Sequence, residues 1–153
     1  MADTVMSYGT NTSLSISLIN IVPNSGSRSS VYVDNTSNKF LDVLVGGQFL
    51  AGNSGIISNG NVRVYAYGST DAVNFSDNAD GTDRSHPLSG NAPFLTSVMV
   101  DQSGKLGQFG PFAISPVFGG IMPPYWGVIV ENITGQVLAS GSMWYQGIKF
   151  TTT

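Results

Sequence analysis

The stretch FGPFAISPVFGGIMPPYWGVIVE, residues Phe109–Glu131, carries the strongest fold signals in the chain. Apolar runs at Phe112–Ile114 and Trp126–Glu131 are typical of strands, and a segment rich in glycine and proline, Pro116–Tyr125, separates them. Proline lacks the backbone N–H donor and glycine admits positive φ, so this segment interrupts any helix or strand ladder. We call Pro116–Tyr125 the hinge. Its large apolar side chains predict a packed corner or a contact surface, because a solvated loop does not need them.

Alternating apolar and polar residues predict strands along the rest of the chain. The cleanest alternation is NVRVYAY, in which valines and an alanine alternate with Arg63, Tyr65 and Tyr67. The predicted strands are Ser13–Val22, Ser29–Asp34, Phe40–Ala51, Asn61–Tyr67, Phe94–Val100, Phe109–Ser115, Trp126–Asn132 and Met143–Phe150. Turn residues separate nearly all of them and no helical period occurs. We therefore expect an all-β fold, an antiparallel β-sandwich of about eight strands, with a jelly roll as the arrangement such a pattern suits.

Three details predict where individual strands lie in the sheets. Pro111 cannot donate a ladder hydrogen bond, which predicts that the strand Phe109–Ser115 is at a sheet edge. The strand Trp126–Asn132 is apolar on both faces, which predicts a central position. The pair Gly46-Gly47 lies within the strand Phe40–Ala51 and predicts a bulge or a bend.

Two segments lack such a period. Met1–Thr12 is polar apart from Val5, Met6 and Tyr8, and we expect an N-terminal arm that becomes ordered when a partner holds it. Residues 13–153 then form a single β-sandwich domain, a size typical of one domain. Gly68–Pro93 is the longest aperiodic segment, and a loop of that length is either functional or locally structured.

The composition is poor in charge. Charged residues make up 10% of the chain, against about 25% in typical domains, whereas hydrophobic residues make up 41%. Such a surface suits a protein that packs against copies of itself or against a larger assembly. An ordinary sandwich with an exterior rich in serine and threonine has the same composition, so both interpretations stay open.

Several functional classes are disfavoured. The net charge is −3 and the lysines and arginines are scattered singly, whereas direct nucleic-acid binding needs clustered cations. The chain has no cysteine, and so no disulfide framework and no thiolate metal site. Its apolar runs fall far short of the roughly 20 residues that span a bilayer. The first residues, MADT, do not read as a signal peptide, so we expect synthesis and folding in a cytoplasm.

The segment DNADGTD, Asp77–Asp83, is the one candidate for metal binding. It approximates the start of an EF-hand loop, but Ser76 stands where the first aspartate belongs and Pro87 where the final glutamate belongs. Asp77, Asp80 and Asp83 are therefore a weak calcium alternative, and an Asx-rich turn is the expected structure. We expect no cofactor.

Catalytic groups are scarce. His86 is the only histidine, and we expect it in an exposed loop, since Pro87 favours extended backbone before it. Glu131 is the only glutamate, and its strand context predicts a structural role. No Gly-x-Ser-x-Gly elbow is present, and nothing indicates a carboxylate pair. We expect a protein that is not an enzyme.

Tyr65 and Tyr67 share one strand face, opposite the valines of the same strand. That face is either a second buried layer or a possible ligand surface, because sugars stack on exposed aromatic rings and β-sandwiches can present such rings. The sequence leaves these two alternatives open.

Several runs together resemble one protein family along nearly the whole chain. They include YGT-x-TSLSISL at Tyr8–Leu18, VDNTSNKFLDVLV at Val33–Val45, VRVYAYGSTD at Val62–Asp71 and the hinge with its flanks at Pro111–Gly135. The pattern Phe-Gly-Gly-x-x-Pro-x-x-Trp-Gly-Val at Phe118–Val128 is its most specific part. In these runs the chain resembles small virion structural proteins of tailed bacteriophages and prophages.

The resemblance implies a virion protein, and the size and fold suit a capsid decoration (cement) protein on the outer head surface, made in the bacterial cytoplasm. Its partners would be the major capsid protein and copies of itself, as a homotrimer, bound through many weak contacts that symmetry multiplies. A tail or neck subunit and a carbohydrate-binding module on the virion surface are the alternatives. The expected contact surface consists of the N-terminal arm and of Phe118, Ile121, Met122, Pro123, Pro124 and Tyr125.

Overall fold

The computed structural model describes residues 3–24, 26–53, 55, 58–86 and 90–152. Its first strands are β1 (Thr4–Tyr8), β2 (Thr12–Ser13), β3 (Ser27–Ser29), β4 (Val33–Asp34), β5 (Asp42–Ala51) and β6 (Asn61–Ser69). They are followed by β7 (Arg84–Ser85), β8 (Phe94–Met99), β9 (Leu106–Ala113), β10 (Tyr125–Ile133) and β11 (Leu138–Thr152). One short helix, α1, spans Asn35–Asn38, and single 3₁₀ turns occur at Ser76–Asn78 and Ser115–Phe118.

Two antiparallel sheets pack as a β-sandwich, which confirms the predicted fold class. One sheet has the order β1-β11-β5-β9, with β2 also paired to β11. The other has the order β7-β3-β10-β6-β8, with β4 also paired to β10. We count β1 with β2 as one interrupted strand, count β3 with β4 as another, and leave out the two-residue strand β7. The eight resulting strands, numbered along the chain, have the order 1-8-3-6 in the first sheet and 2-7-4-5 in the second. That interleaving, in which the chain crosses repeatedly between the sheets, is the jelly roll.

The core lies between the sheets and follows from the period of two. Fully buried side chains include Val43 and Phe49 of β5, Val62 and Val64 of β6, and Trp126 of β10. Successive side chains of a strand point to opposite faces, so these alternating positions converge on one interior. The Trp126 ring meets the Tyr145 ring edge-on, with centroids 5.4 Å apart, and so joins the two sheets.

All three predictions of strand position are confirmed. The strand containing Pro111, β9, lies at the edge of its sheet, and β10 is central, between β3 and β6. The register between β5 and β9 shifts between Val45 and Gly47. Larger residues would not fit here, because a Cβ on Gly46 would lie 2.8 Å from Trp144 Nε1 and one on Gly47 would lie 2.6 Å from Phe109 Cε1.

The predicted strand Ser13–Val22 was wrong over most of its length. Only Thr12–Ser13 pairs with β11, although Leu14 and Leu18 of the alternating set are buried and Ile16 is half-buried. Its backbone hydrogen bonds go to separate partners instead of one ladder. The Leu14 N–H donates to Met143 O, whereas the Val31 N–H donates to Ser15 O. Burial therefore followed the apolar alternation from Leu14 to Leu18, but strand pairing did not.

The first residues of the chain also differ from expectation. β1 pairs in register with the end of β11, from Thr4 opposite Thr152 to Tyr8 opposite Ile148. We expected this segment to be ordered by a partner, whereas its own chain supplies a neighbouring strand. The division into an arm and a domain at residue 12 stays a prediction. Within the described residues, no helix has the length and apolar character to cross a membrane.

Candidate functional site

The hinge forms a corner with one large, highly exposed apolar side chain, Ile121. The hinge begins with the 3₁₀ turn Ser115–Phe118, which ends at Gly119. The φ angle of Gly119 is 79°, a conformation that glycine adopts without strain. Within the hinge, Met122 is only 8% exposed and belongs to the core, whereas the adjacent Ile121 is 77% exposed. Met122 thus anchors the hinge in the core, while the adjacent Ile121 side chain is exposed to solvent.

The six predicted contact residues therefore differ in how far they are buried. Phe118 and Pro123 line a cavity of about 340 Å³ beside the end of β6. Pro124 is half-buried and its carbonyl oxygen accepts a hydrogen bond of 2.7 Å from the Asn35 N–H. Tyr125 is half-buried and its ring meets that of Tyr32 edge-on at 5.4 Å. Ile121 is the most accessible of the six, and the role of the set as an interface stays a prediction.

Ile121 borders a shallow depression of about 440 Å³, which we call the hinge depression. Its lining residues are Lys39, Phe40, Leu41, Gly120, Ile121 and Met122. Leu41 is 50% exposed, so it and Ile121 present two apolar side chains in the lining of the same depression. The one ionisable side chain in the lining is Lys39. A site of this composition can bind an apolar protein surface, and it offers no general acid or base pair.

The aromatic face of β6 is a second buried layer. Tyr67 is fully buried with Phe75 and Ile129, under the segment that follows β6, so the possible ligand surface is excluded at this position. Its hydroxyl donates a hydrogen bond of 2.6 Å to Ser30 O, and burial raises the Tyr67 pKa well above its usual value. Tyr65 is half-buried beside this layer.

Tyr65 is also engaged by its neighbours. The Tyr65 hydroxyl donates to Glu131 Oε2 across 3.1 Å, and Arg63 Nη1 lies 3.6 Å from the same oxygen. Burial, followed by the hydrogen bond to Glu131, raises the Tyr65 pKa. Glu131 is thus a link between strands, as its strand context predicted.

The acidic segment does not form a metal centre. No group of three or more histidines, aspartates or glutamates in the described part of the chain is placed to share an ion. Asp80 accepts from the Thr82 hydroxyl and pairs with Arg84 at 2.8 Å, and the Thr82 hydrogen bond lowers the Asp80 pKa. Asp83 pairs with Arg28 at 2.5 Å. Pro87, which occupies the last position of the EF-hand comparison, lies outside the described residues.

His86 corrects a prediction. Its side chain is 2% exposed rather than solvated, because the His86 backbone is fixed to β3. The His86 N–H donates to Ser27 O at 2.9 Å, and the Ser27 hydroxyl donates to the His86 carbonyl oxygen. The ring faces the buried Asp77 carboxylate, with Nε2 and Oδ2 3.6 Å apart, and neither ring nitrogen has a hydrogen bond. Asp77 Oδ1 also accepts a hydrogen bond from the Asn91 N–H. Asp77 therefore contacts both His86 and Asn91 and holds these three positions together.

One feature was missed by sequence reasoning. β1 and the end of β11 together expose Val5, Met6, Tyr8 and Phe150. The signal was visible in part, because the first three of these are the apolar residues of an otherwise polar segment. Their placement beside Phe150 required the tertiary pairing.

Comparison of the chain with protein-family models and with curated protein sequences finds no match.

Proposed function

We propose that this chain is a bacteriophage virion structural protein, and that it acts as a capsid decoration protein which stabilises the head through contacts with the major capsid protein and with its own copies. The observation that carries the proposal is the hinge depression, where Ile121 and Leu41 stand in solvent at 77% and 50% exposure. Exposed apolar side chains that lie next to residues buried in the core are suited to binding another protein surface.

The surface chemistry supports a mechanical role. With 10% charged residues, the chain offers few solvated charges that would have to be stripped of water on assembly. Single contacts of this kind are weak, but closed symmetry repeats them over the whole shell. Asp80 and Asp83 pair with Arg84 and Arg28, and His86 faces Asp77, which supports a structural role for these side chains.

The architecture is compatible with the proposal without deciding it. Jelly rolls build viral capsid domains, but they also build lectins, and a fold by itself does not assign a function. The carbohydrate-binding alternative loses one of its two residues, because Tyr67 is buried and hydrogen-bonded. A tail or neck subunit remains the alternative within the virion, and it differs from decoration in copy number and position.

Particle composition tests the location. We would purify virions of the phage or induced prophage that encodes the chain, measure its copy number by quantitative mass spectrometry and locate it by cryo-electron microscopy. Decoration predicts on the order of hundreds of copies on the icosahedral shell. A few copies confined to the tail or neck would overturn it.

A matched pair of variants tests the contact surface. Ile121→Ser removes the exposed hinge side chain, and Val73→Ser removes one that is 75% exposed on the segment after β6. Both substitutions leave the core unchanged. We expect Ile121→Ser to lower occupancy on particles and Val73→Ser to match the wild type. Equal occupancy for all three proteins would exclude the hinge depression as the capsid contact.

A further inference from the structure

β1 and β11 extend beyond the sandwich as a ribbon of two strands. The pairing of β11 with β5 ends at Ile148, opposite Asp42, whereas β1 follows β11 to Thr152. Within the described residues, 149–152 of β11 therefore have a strand neighbour on one side only. We call Thr4–Tyr8 together with Ile148–Thr152 the terminal ribbon.

The terminal ribbon is apolar and uncovered. Met6 lies opposite Phe150 in the register, at 55% and 61% exposure, and Tyr8 is 55% exposed beside them. Among the described residues, no strand other than β11 pairs with β1. A ribbon of two strands is marginally stable in water, and a third strand is the usual means of stabilising it.

Of the four strands that end the sheet orders in the described part of the chain, β1 alone lacks a blocking device. Pro111 interrupts the opposite edge, β9, where it removes a donor. In the second sheet, β7 is two residues long and β8 has a register shift beside Tyr65. β1 has five residues in unbroken register, with no proline and no charge. An exposed, uncharged strand edge that carries apolar side chains is a template for another strand.

We propose that a second copy of this chain supplies that strand. The two β1 strands pair antiparallel about a two-fold axis through Met6, so that Met6 faces Met6, Val5 faces Ser7, and Thr4 faces Tyr8 across the pair. Directly opposed residues of antiparallel strands share a face. This register gathers Met6, Tyr8, Ile148 and Phe150 of both copies on one side of a continuous sheet.

The charge pattern is the reason for choosing a second copy. Self-pairing places each residue of β1 opposite a residue of the same five. None of the five is an aspartate, glutamate, lysine, arginine or histidine. No like charges meet, although the whole chain carries −3. Lys149, the one charge of the ribbon, is on β11, with β1 between it and the partner strand. Because side chains alternate between faces, a slip by one residue would split the apolar set between two faces.

This inference does not rest on the capsid proposal, because it concerns the purified protein alone. It also specifies a symmetry. Edge pairing gives a two-fold dimer, whereas the expectation for a capsid decoration protein is a homotrimer, so the mass in solution separates the two.

The test is the mass of the full chain in solution, measured by light scattering and sedimentation. We expect a particle of twice the 16.1 kDa chain mass for the wild type. Met6→Lys and Met6→Glu each place like charges opposite each other at the axis, which weakens dimerisation at least about tenfold. A mixture of the two variants restores the dimer as a heterodimer. Val73→Lys, at an exposed apolar site elsewhere, leaves the dimer intact.

A cross-link gives a second measurement. The chain has no cysteine, so Met6→Cys introduces a single thiol at the axis. Mild oxidation should link two copies within the dimer, whereas Val73→Cys should stay unlinked. A monomeric or trimeric wild type, or a dimer that Met6→Lys leaves unchanged, would overturn the proposal. Circular dichroism of each variant establishes that it is folded.

Discussion

The Tyr67 ring lies directly over Gly127, its register partner on the neighbouring strand: a Cβ on Gly127 would lie 2.4 Å from Tyr67 Cζ. Because Gly127 of β10 has no side chain, the Tyr67 ring of β6 can occupy the space next to it. With its hydroxyl on Ser30 O, this ring fixes the second buried layer against the outer face of the sheet.

Gly127→Ala should therefore destabilise the protein. The Cβ meets the middle of a buried ring, and overpacking of this kind costs about 1–3 kcal/mol of unfolding free energy. Urea denaturation measures it. Gly52→Ala is the matched control, because its nearest neighbour would lie 3.4 Å away. Equal stabilities of the two variants would mean that the Tyr67 ring is not confined against β10.

Burial of Tyr67 predicts a loss of stability in alkali. Its pKa is raised in the folded state, so its contribution is complete below the unfolded pKa of about 10 and is lost as the pH rises above it. The unfolding free energy should then fall by up to about 1.4 kcal/mol per pH unit.

Tyr67→Phe should remove that part of the alkaline slope. The variant should also lose about 1 kcal/mol at neutral pH, because Ser30 O loses its partner. Urea unfolding at a series of pH values measures both effects. Tyr32→Phe, at a ring that is 36% exposed, is the control. An alkaline slope that Tyr67→Phe leaves unchanged would contradict the assignment.

Adjacent residues of the hinge should differ sharply in stability. Met122→Ser opens a cavity in the core and buries a hydroxyl, and should cost about 2–5 kcal/mol. Ile121→Ser changes a side chain that is 77% exposed and should stay within about 0.5 kcal/mol of the wild type. Thermal or urea unfolding compares them. Similar losses in both variants would show that the Ile121 side chain is packed.

Calcium should leave stability unchanged. Asp80 and Asp83 are engaged by Arg84 and Arg28, and Asp77 by His86 and Asn91, so no shared set of oxygens is free for an ion. The melting temperature should be the same in millimolar calcium and in chelator. A calcium-dependent rise that Asp80→Asn abolishes would restore the metal site.

Much of the fold could be predicted from the sequence. The alternation in Asn61–Tyr67 identified β6, Pro111 placed β9 at an edge, and Gly46-Gly47 marked the register shift. Each of these depends on covalent geometry: a period of two, a missing donor, or a missing Cβ. Such properties belong to the residue itself, so no knowledge of distant contacts was needed.

The candidate sites depended on distant contacts, and there the sequence was insufficient. It left Tyr67 either buried or exposed, predicted an exposed His86, and grouped Met122 with Ile121. Tyr67 is covered by Phe75, from the segment that folds back over β6, and His86 is held by Ser27, which is 59 residues earlier in the chain. The sequence by itself determined most of the strands, β6 and β10 among them, and which of their faces are apolar. Only the tertiary structure decided which apolar faces are covered, because covering depends on the return of remote segments and not on any local period.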